Sequence, residues 1–367
     1  MKKTIMSVCS IAALLGIILT FASCKSKEEK IAEAIELLNQ EKYAEGLALY
    51  QEIEDVQDTT LLNKLAELYA NGKGFEQDSA KALQLWEKTS GLGDLRGMLQ
   101  LGYAYEYAQG GFKKDMKKAL EYYEKAGEKN DPVGFYNAAL IYLYDKGKDA
   151  VEKNPEKGIQ LLKKAVELKD VPSMNKLGYI YENGEGVLVN MEEALKYFEM
   201  AASNNDKDAL DELGRMYNKG KGVKKDQKKA FEYWLKAAEL GYHYSQFNVA
   251  YDYQYGVGTK KDSKKAVEWY LKAANQGNFS AMLNLGYMYE KGDGVEKNDQ
   301  KAFELYQKAA EKGDAIAQCN LGLCYHEGRG VQKNMKEASK WFQKSADQGN
   351  ERAQEWIDYM MSNGELY

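Results

Sequence analysis

The stretch Leu285-Gly-Tyr-Met-Tyr-Glu-Lys-Gly-Asp-Gly-Val295 decides the fold, because it recurs through the chain. It returns as Leu213-Gly-Arg-Met-Tyr-Asn-Lys-Gly-Lys-Gly-Val223 and as Leu177-Gly-Tyr-Ile-Tyr-Glu-Asn-Gly-Glu-Gly-Val187. The tyrosine at its fifth place is the anchor that sets the register of each repeat. The anchors of repeats 1 to 8 are, in order, Tyr69, Tyr105, Tyr142, Tyr181, Tyr217, Tyr253, Tyr289 and Tyr325. Regular spacing of this kind predicts stacked structural repeats.

A small residue stands three places before every anchor. The eight are Ala66, Gly102, Ala139, Gly178, Gly214, Ala250, Gly286 and Gly322. Because any larger side chain would hold a neighbouring helix away, this position predicts a close approach between helices.

Turn and capping residues divide each repeat into two helices. Paired glycines follow the anchor and predict a turn with positive φ, first at Gly184, Gly220, Gly256, Gly292 and Gly328. A helix N-cap residue comes next, at Asp78, Asp115, Asn154, Asn190, Asp226, Asp262, Asn298 and Asn334. An alanine and aromatic stripe then predicts the buried face of the second helix. Each repeat is therefore expected to be helix, loop and helix, with no strand.

These residues resemble Sel1-like repeats, which are related to tetratricopeptide repeats. The resemblance implies an all-α fold, a right-handed α-solenoid of stacked helix-loop-helix repeats, and a role in protein interaction. It covers eight repeats over 60–350, preceded by a tetratricopeptide-like helix pair at 31–59 and followed by a capping helix at 351–367. Repeat 3 departs from the pattern at Ala138-Ala139 and in a longer loop, 146–153.

The N-terminus has the features of a secretion signal. Two lysines precede an uncharged stretch, 5–22, and the segment Phe21-Ala22-Ser23-Cys24 resembles the lipobox of bacterial lipoproteins. We therefore expect a signal peptide at 1–23, lipidation at Cys24 and a polar tether at 24–30. The alternatives are cleavage after Ala22, which would release the protein, and an uncleaved span slightly short for a bilayer.

Composition argues against several classes of function. The chain has 51 basic and 56 acidic residues, a balance that gives no general affinity for nucleic acid. It has two histidines, His243 and His326, too few for a histidine metal site, and both are predicted to be surface or edge residues. Cys319 and Cys324 are five apart on one predicted helix, roughly 8 Å by helical rise, so we predict packing residues and no disulfide. We expect no enzyme activity, cofactor or bound metal.

One face of each first helix varies between repeats and is the candidate binding surface. Positions nine, five and two before the anchor share that face and would line the concave side of the solenoid. The candidate ligand-binding residues are Gln100, Tyr103, Lys176, Tyr179, Tyr244, Asn248, Tyr251, Asn284, Tyr287 and Asn320. Tyrosine and asparagine suit a peptide or a glycan. Alternatively, these tyrosines only cover neighbouring helices, or partners use the outer, lysine-rich face.

The sequence thus predicts a non-catalytic scaffold or adaptor in the bacterial cell envelope, with a protein or peptide as its partner. It would be lipid-anchored, on the periplasmic or surface-exposed face of the outer membrane, with no membrane contact except through the lipid. The alternative is a lipoprotein that binds glycan or peptidoglycan in the same groove.

Overall fold

The computed structural model describes residues 25–144 and 151–365. The predicted signal peptide, the predicted lipidation site Cys24 and most of the predicted loop 146–153 lie outside the described residues. Across the described ranges the regular structure is nineteen α-helices and one 3-10 turn, without a strand. The predicted all-α class is confirmed. None of these helices is both long enough and apolar enough to cross a membrane.

The chain forms two compact units, divided in sequence between Asp170 and Val171. In the N-terminal unit, α1 packs on α2 and α3, and from α3 onward each helix packs on the next. A 3-10 turn at Gln109–Gly111 follows α5. The helices are α1 Lys27–Asn39, α2 Tyr43–Gln51, α3 Thr59–Asn71, α4 Ser79–Gly91, α5 Leu95–Tyr107, α6 Met116–Glu128, α7 Pro132–Tyr144 and α8 Pro155–Glu167.

The C-terminal unit is an uninterrupted series of helices, and each packs on the next along the chain. Consecutive helices of nearly equal length form helix pairs, one pair for each repeat from 4 to 8. The helices are α9 Val171–Asn183, α10 Met191–Ser203, α11 Lys207–Lys219, α12 Gln227–Glu239, α13 His243–Tyr255, α14 Ser263–Asn275, α15 Phe279–Lys291, α16 Asp299–Glu311, α17 Ala315–Glu327, α18 Met335–Ala346 and α19 Glu351–Ser362.

The second helix of every repeat begins at its predicted cap. In repeat 5, Oδ1 of Asp226 accepts a 3.0 Å hydrogen bond from the backbone N–H of Lys229. The same bond to the helix start occurs at all eight predicted N-caps. Each bond satisfies a backbone donor that the first turn of a helix leaves open.

The two glycines of a loop have different roles. Gly256 ends α13 in the left-handed conformation, with φ 73°, and Gly258 follows with φ 65°. A Cβ on Gly258 would collide with the backbone carbonyl of Gln227, at the start of the preceding repeat's second helix. The first glycine therefore turns the chain, and the second lets two repeats approach.

The small residue before the anchor also lies at a close contact, as predicted. A Cβ on Gly286 would lie 2.8 Å from Cε1 of Tyr306. Tyr306 is fully buried, and its hydroxyl donates a 3.0 Å hydrogen bond to Glu290. The first and second helices of repeat 7 pack ring against backbone at this point.

The structure corrects the N-terminal boundary. The Ser26 hydroxyl accepts a hydrogen bond from the backbone N–H of Glu29, while the Glu29 carboxylate accepts one from the backbone N–H of Ser26. This reciprocal cap starts α1 at Lys27, inside the segment 24–30 that was predicted to be a tether.

The C-terminal helix covers the last repeat. Ile357 and Met360 of α19 are buried in one cluster with Cys319, Leu323 and Phe342. Cys319 and Cys324 are both free and buried, which agrees with their prediction as packing residues. Burial raises the pKa of both thiols, that of Cys324 to about 12.

Candidate functional site

The first helices of repeats 6, 7 and 8 carry the exposed part of the predicted surface. We call it the tyrosine–asparagine stripe: Tyr244, Asn248, Tyr251, Asn284, Tyr287 and Asn320. Tyr244, Tyr251 and Tyr287 are 57%, 44% and 45% exposed, although large aromatic side chains usually bury most of their surface. The three asparagines are half-buried beside them. These tyrosines are therefore not simply covering a neighbouring helix.

A pocket of about 380 Å³ joins repeats 7 and 8. It brings together three predicted residues, Asn284 and Tyr287 of α15 and Asn320 of α17. Its remaining lining residues are Tyr255, Leu283, Glu290, Lys291, Tyr306, Ile316, Leu323, Arg329 and Arg352. The lining combines aromatic, amide and charged groups, as ligand-binding sites do.

Charged groups form one wall of this pocket around Glu290. Its carboxylate lies 2.7 Å from Lys291 Nζ and 3.0 Å from Arg329 Nη1. Burial acts to raise the pKa of Glu290, but the bonds from Lys291 and Tyr306 and the charge of Arg329 hold it below its usual value. Glu290 is therefore ionised and fixed in place at neutral pH.

A second pocket, of about 400 Å³, lies between repeats 5 and 6. Two predicted residues of α13, Asn248 and Tyr251, line it together with Asp252. The other lining residues are Asn218, Gln227, Trp234, Phe247 and Val257. The tyrosine–asparagine stripe thus passes two pockets within the C-terminal unit.

Two predicted residues of repeat 4 are engaged in internal contacts instead. The hydroxyl of Tyr179 donates a 3.0 Å hydrogen bond to Glu212, and its ring packs edge-on against Phe198. Lys176 Nζ lies 3.9 Å from the carboxylate of Glu185. The alternative prediction, that such side chains cover neighbouring helices, describes repeat 4 better than a binding surface does.

Gln100 and Tyr103, the remaining predicted residues, belong to α5 of the N-terminal unit. The ring of Tyr103 stacks on Tyr107 and meets Tyr123 edge-on, and Asn137 Nδ2 donates a long 3.4 Å hydrogen bond to its hydroxyl. Both predicted side chains are half-buried. Tyr107 is the exposed aromatic of this group.

Comparison with known proteins identifies the repeat. The sequence model described as Sel1 repeat matches eight consecutive segments: residues 62–94, 95–131, 136–170, 171–206, 207–242, 243–278, 279–314 and 315–350. The chain belongs to the Sel1 repeat family. The family resemblance predicted from the sequence is confirmed. Sel1 repeats are generally non-catalytic scaffolds for protein interaction.

Solved Sel1 repeat structures share this fold. The protein c5321, a protective antigen of uropathogenic Escherichia coli, is 27% identical with a TM-score of 0.67, over 92% of this chain and 72% of that one. A Sel1 repeat protein from Oxalobacter formigenes is 24% identical with a TM-score of 0.67, over 92% and 95% of the two chains. No curated protein sequence matches the chain.

The outer lysines of the Sel1 repeats cover the anchor tyrosines. Lys229 Nζ lies 5.1 Å from the ring centroid of Tyr217, and Lys265 Nζ lies 5.2 Å from that of Tyr253. Such contacts are cation–π interactions. Part of the lysine-rich outer face therefore has a structural role within these two Sel1 repeats.

Sequence reasoning missed several residues of the site. Tyr255, 55% exposed, lies one helical turn beyond Tyr251, so extending the stripe by four positions would have found it. Arg329 and Arg352 come from a loop and from α19, and no spacing within the stripe points to them. Asp252 carried a different signal, a charged residue in an otherwise apolar register.

The prediction for His326 was wrong. It is buried, its Nε2 lies 2.8 Å from the carboxylate of Glu365, and its ring contacts Trp356 of α19. The terminal helix covers a histidine that the sequence placed at an edge. In the described ranges, no group of three or more His, Cys, Asp or Glu side chains is arranged to hold a metal.

Proposed function

We propose that this Sel1 repeat protein is a non-catalytic scaffold that binds a protein segment or a peptide along the tyrosine–asparagine stripe. The observation that carries the proposal is the exposure of Tyr244, Tyr251 and Tyr287 on successive repeats beside two pockets. Aromatic side chains of this kind supply large contact areas at a low cost in conformational entropy. Ile316, also exposed, extends the apolar surface to repeat 8.

The asparagines explain why an extended segment suits this surface. Asn248, Asn284 and Asn320 occupy the same register in three successive repeats. A primary amide both donates and accepts hydrogen bonds, as a peptide backbone does. Amides repeated along the stripe can therefore pair with successive backbone groups, while the pockets accept side chains.

A glycan is the second candidate, and the pocket around Glu290 favours it. Tyr255 and Tyr287 offer ring surfaces there, next to the amides of Asn284 and Asn320. Sugar rings bind to such combinations of aromatic faces and hydrogen-bonding groups. Soluble cell-wall sugars that displace a captured protein from the stripe would favour the glycan over the peptide.

The test replaces Tyr251, Asn284 and Tyr287 together by Ala, using a partner captured by crosslinking to the native protein. We expect binding to weaken strongly, since a single aromatic anchor can contribute about 2 kcal/mol or more. Helical content and melting temperature should change little, because none of the three is a buried core residue.

The control reverses the charge of the outer lysines Lys228 and Lys264 and keeps Lys229 and Lys265, because these two contact the anchor tyrosines. Titrations of both variants at two ionic strengths separate the surfaces, because salt weakens contacts between exposed charges. Full affinity in the triple variant, with loss only on charge reversal, would place the partner on the outer face and contradict the proposal.

The proposal also places the scaffold at the bacterial envelope, attached through lipid on Cys24. Its support is the order of features in residues 1–24: basic residues, an uncharged apolar stretch, small residues and then cysteine. Attachment at one end of the chain would leave the repeats available to a partner in the same compartment.

A further inference from the structure

One residue of the pocket between repeats 5 and 6 breaks the pattern of the whole chain. Asp252 stands immediately before its anchor tyrosine. The other seven repeats have an apolar residue there: Leu68, Ala104, Ile141, Ile180, Met216, Met288 and Cys324. All seven are buried, so this position belongs to the core. A carboxyl group in such a position contradicts local packing rules, and violations of this kind concentrate at functional sites.

The carboxyl of Asp252 is buried, and one of its two oxygens has no partner. The side chain is 3% exposed, and Oδ2 has no hydrogen-bond partner in the described part of the protein. Burial alone raises the pKa of Asp252 to about 7, with no contribution from a neighbouring charge. A buried carboxylate normally has a cation or several donors around it. Here the protein itself supplies neither to this oxygen.

The pocket between repeats 5 and 6 has room for the partner that the Asp252 carboxyl lacks. Asp252 lines it, and no lysine or arginine is among its lining residues. The indole of Trp234, 6% exposed, lines the same pocket, and its Nε1 is likewise buried without an acceptor. Two residues that each carry an unpartnered polar atom therefore line one cavity.

The remaining lining residues favour a positively charged guest with an aliphatic stem. Phe247, Val257 and the ring of Trp234 provide apolar walls for methylene groups. The exposed ring of Tyr251 can stack on a cation. The amides of Asn218 and Asn248 add neutral acceptors for further N–H groups.

We propose that this pocket is a subsite for a lysine or arginine side chain of the bound peptide, with Asp252 as the residue that determines specificity. A cation brought to the carboxyl group of Asp252 would offset the desolvation of the carboxylate. Because Asn248 and Tyr251 belong to both the stripe and the pocket, a peptide on the stripe would pass the entrance. The assignment rests on the proposed peptide-binding function and names one side chain that the peptide must have.

The test uses small probes and therefore needs no identified partner. n-Butylguanidinium is titrated into the ¹⁵N-labelled full chain, alongside n-butylurea, a neutral molecule of nearly the same shape. The readout is the indole N–H signal of Trp234, assigned with Trp234→Phe. We expect a saturable shift with n-butylguanidinium and binding of n-butylurea weaker by about tenfold or more, because hydrogen bonds between ions are the stronger ones.

Two variants make the test specific. Asp252→Asn preserves shape but removes the charge, and should abolish the preference for n-butylguanidinium. Asp211→Asn is the matched control, because Asp211 is a largely buried carboxyl of the same unit that is already bonded to Ser245 and does not line the pocket. It should leave the preference intact. Amide proton spectra check that both variants remain folded.

Three results would overturn the assignment: no saturable shift with either probe, equal binding of both probes, or a preference that survives in Asp252→Asn. Equal binding of both would indicate a neutral amide or hydroxyl guest. The proposed function fails separately, if the triple alanine variant of the stripe keeps full affinity for its partner. A charge preference with an unaffected partner would show a cation site that is not part of the peptide surface.

Discussion

Gly286 shows at the scale of one residue why a small side chain recurs before every anchor. A Cβ there would lie 2.8 Å from the ring of Tyr306, closer than real carbon contacts. That ring cannot easily move aside, because it is fully buried and its hydroxyl is bonded to Glu290. The Tyr306 side chain is therefore held in place both by its packing and by the hydrogen bond of its hydroxyl.

Gly286→Leu should destabilise the protein by about 1–3 kcal/mol or more, because overpacking forces helices apart. Thermal and urea unfolding measure the loss. In a Tyr306→Ala background, which opens the space, the same change should cost much less. An unchanged melting curve, or equal costs in both backgrounds, would show that the contact with Tyr306 does not set the limit.

Asp252→Met should stabilise the protein, because Met216 and Met288 fill the same position in the neighbouring repeats. Removing a buried carboxyl without a partner is worth about 1–3 kcal/mol. The folded-state pKa of Asp252, about 7, is raised above its ordinary value near 4. The wild type should therefore lose stability as pH rises from about 4 to 7, whereas the variant should lack this component.

Urea unfolding at several pH values measures this gain, which should be largest above pH 7. The reciprocal change Met288→Asp is the control and should destabilise the protein, since it creates the same unpaired group in repeat 7. A loss of stability in Asp252→Met at pH 8 would show that the carboxyl has a favourable partner.

At the scale of the element, helix ends follow local rules and were predictable, whereas contacts between elements were less so. The eight N-caps and the paired glycines depend on residues within a few positions of each other. The partners of Tyr179 and His326 lie 33 and 39 residues away. The spacing places Tyr179 and Tyr251 on equivalent faces of their own first helices. The neighbouring repeat then determines that Tyr179 bonds to Glu212 while Tyr251 stays exposed.

Most second helices end at a glycine with positive φ, and three repeats are exceptions. Five repeats have a glycine with positive φ there: Gly93, Gly241, Gly277, Gly313 and Gly349. After α8 the same role falls to Lys169, with φ 65°. A lysine in this conformation is strained, because its Cβ approaches the backbone.

Lys169→Gly should therefore stabilise the protein by about 1 kcal/mol, the strain relieved minus the greater entropy that glycine gives to the unfolded chain. Asn130→Gly, at the equivalent place after α6, is the matched control and should gain less, since asparagine tolerates this conformation. Chemical denaturation compares the two. A loss of stability at Lys169 would mean that its side chain makes a contact that outweighs the strain.

At the scale of the whole molecule, the chain is an array of Sel1 repeats. Stability in such arrays is approximately a sum of repeat and neighbour terms, so both ends need covers. α1 and α2 precede the first repeat, and α19 buries apolar side chains of the last. The proposed lipid attachment concerns only where the repeats are located.

Cys24→Ser should leave the protein unprocessed or mislocalised, whereas the wild type should enter the detergent phase on phase partitioning. Metabolic labelling with a fatty acid gives a direct measurement. Equal labelling of the mutant would contradict lipid attachment at this cysteine. Cys9→Ser is the control and should change neither processing nor labelling.

The two buried thiols of α17 give the last repeat a pair of built-in chemical reporters. Cys319 lies in the cluster beneath α19, and Cys324 in the cluster shared with repeats 6 and 7. Neither can react with an alkylating reagent until its surroundings open, since the thiolate is both shielded and disfavoured. The alkylation rate of Cys319 would then report detachment of the terminal helix, and that of Cys324 separation of the repeats, so the order in which the array frays could be timed without an added label.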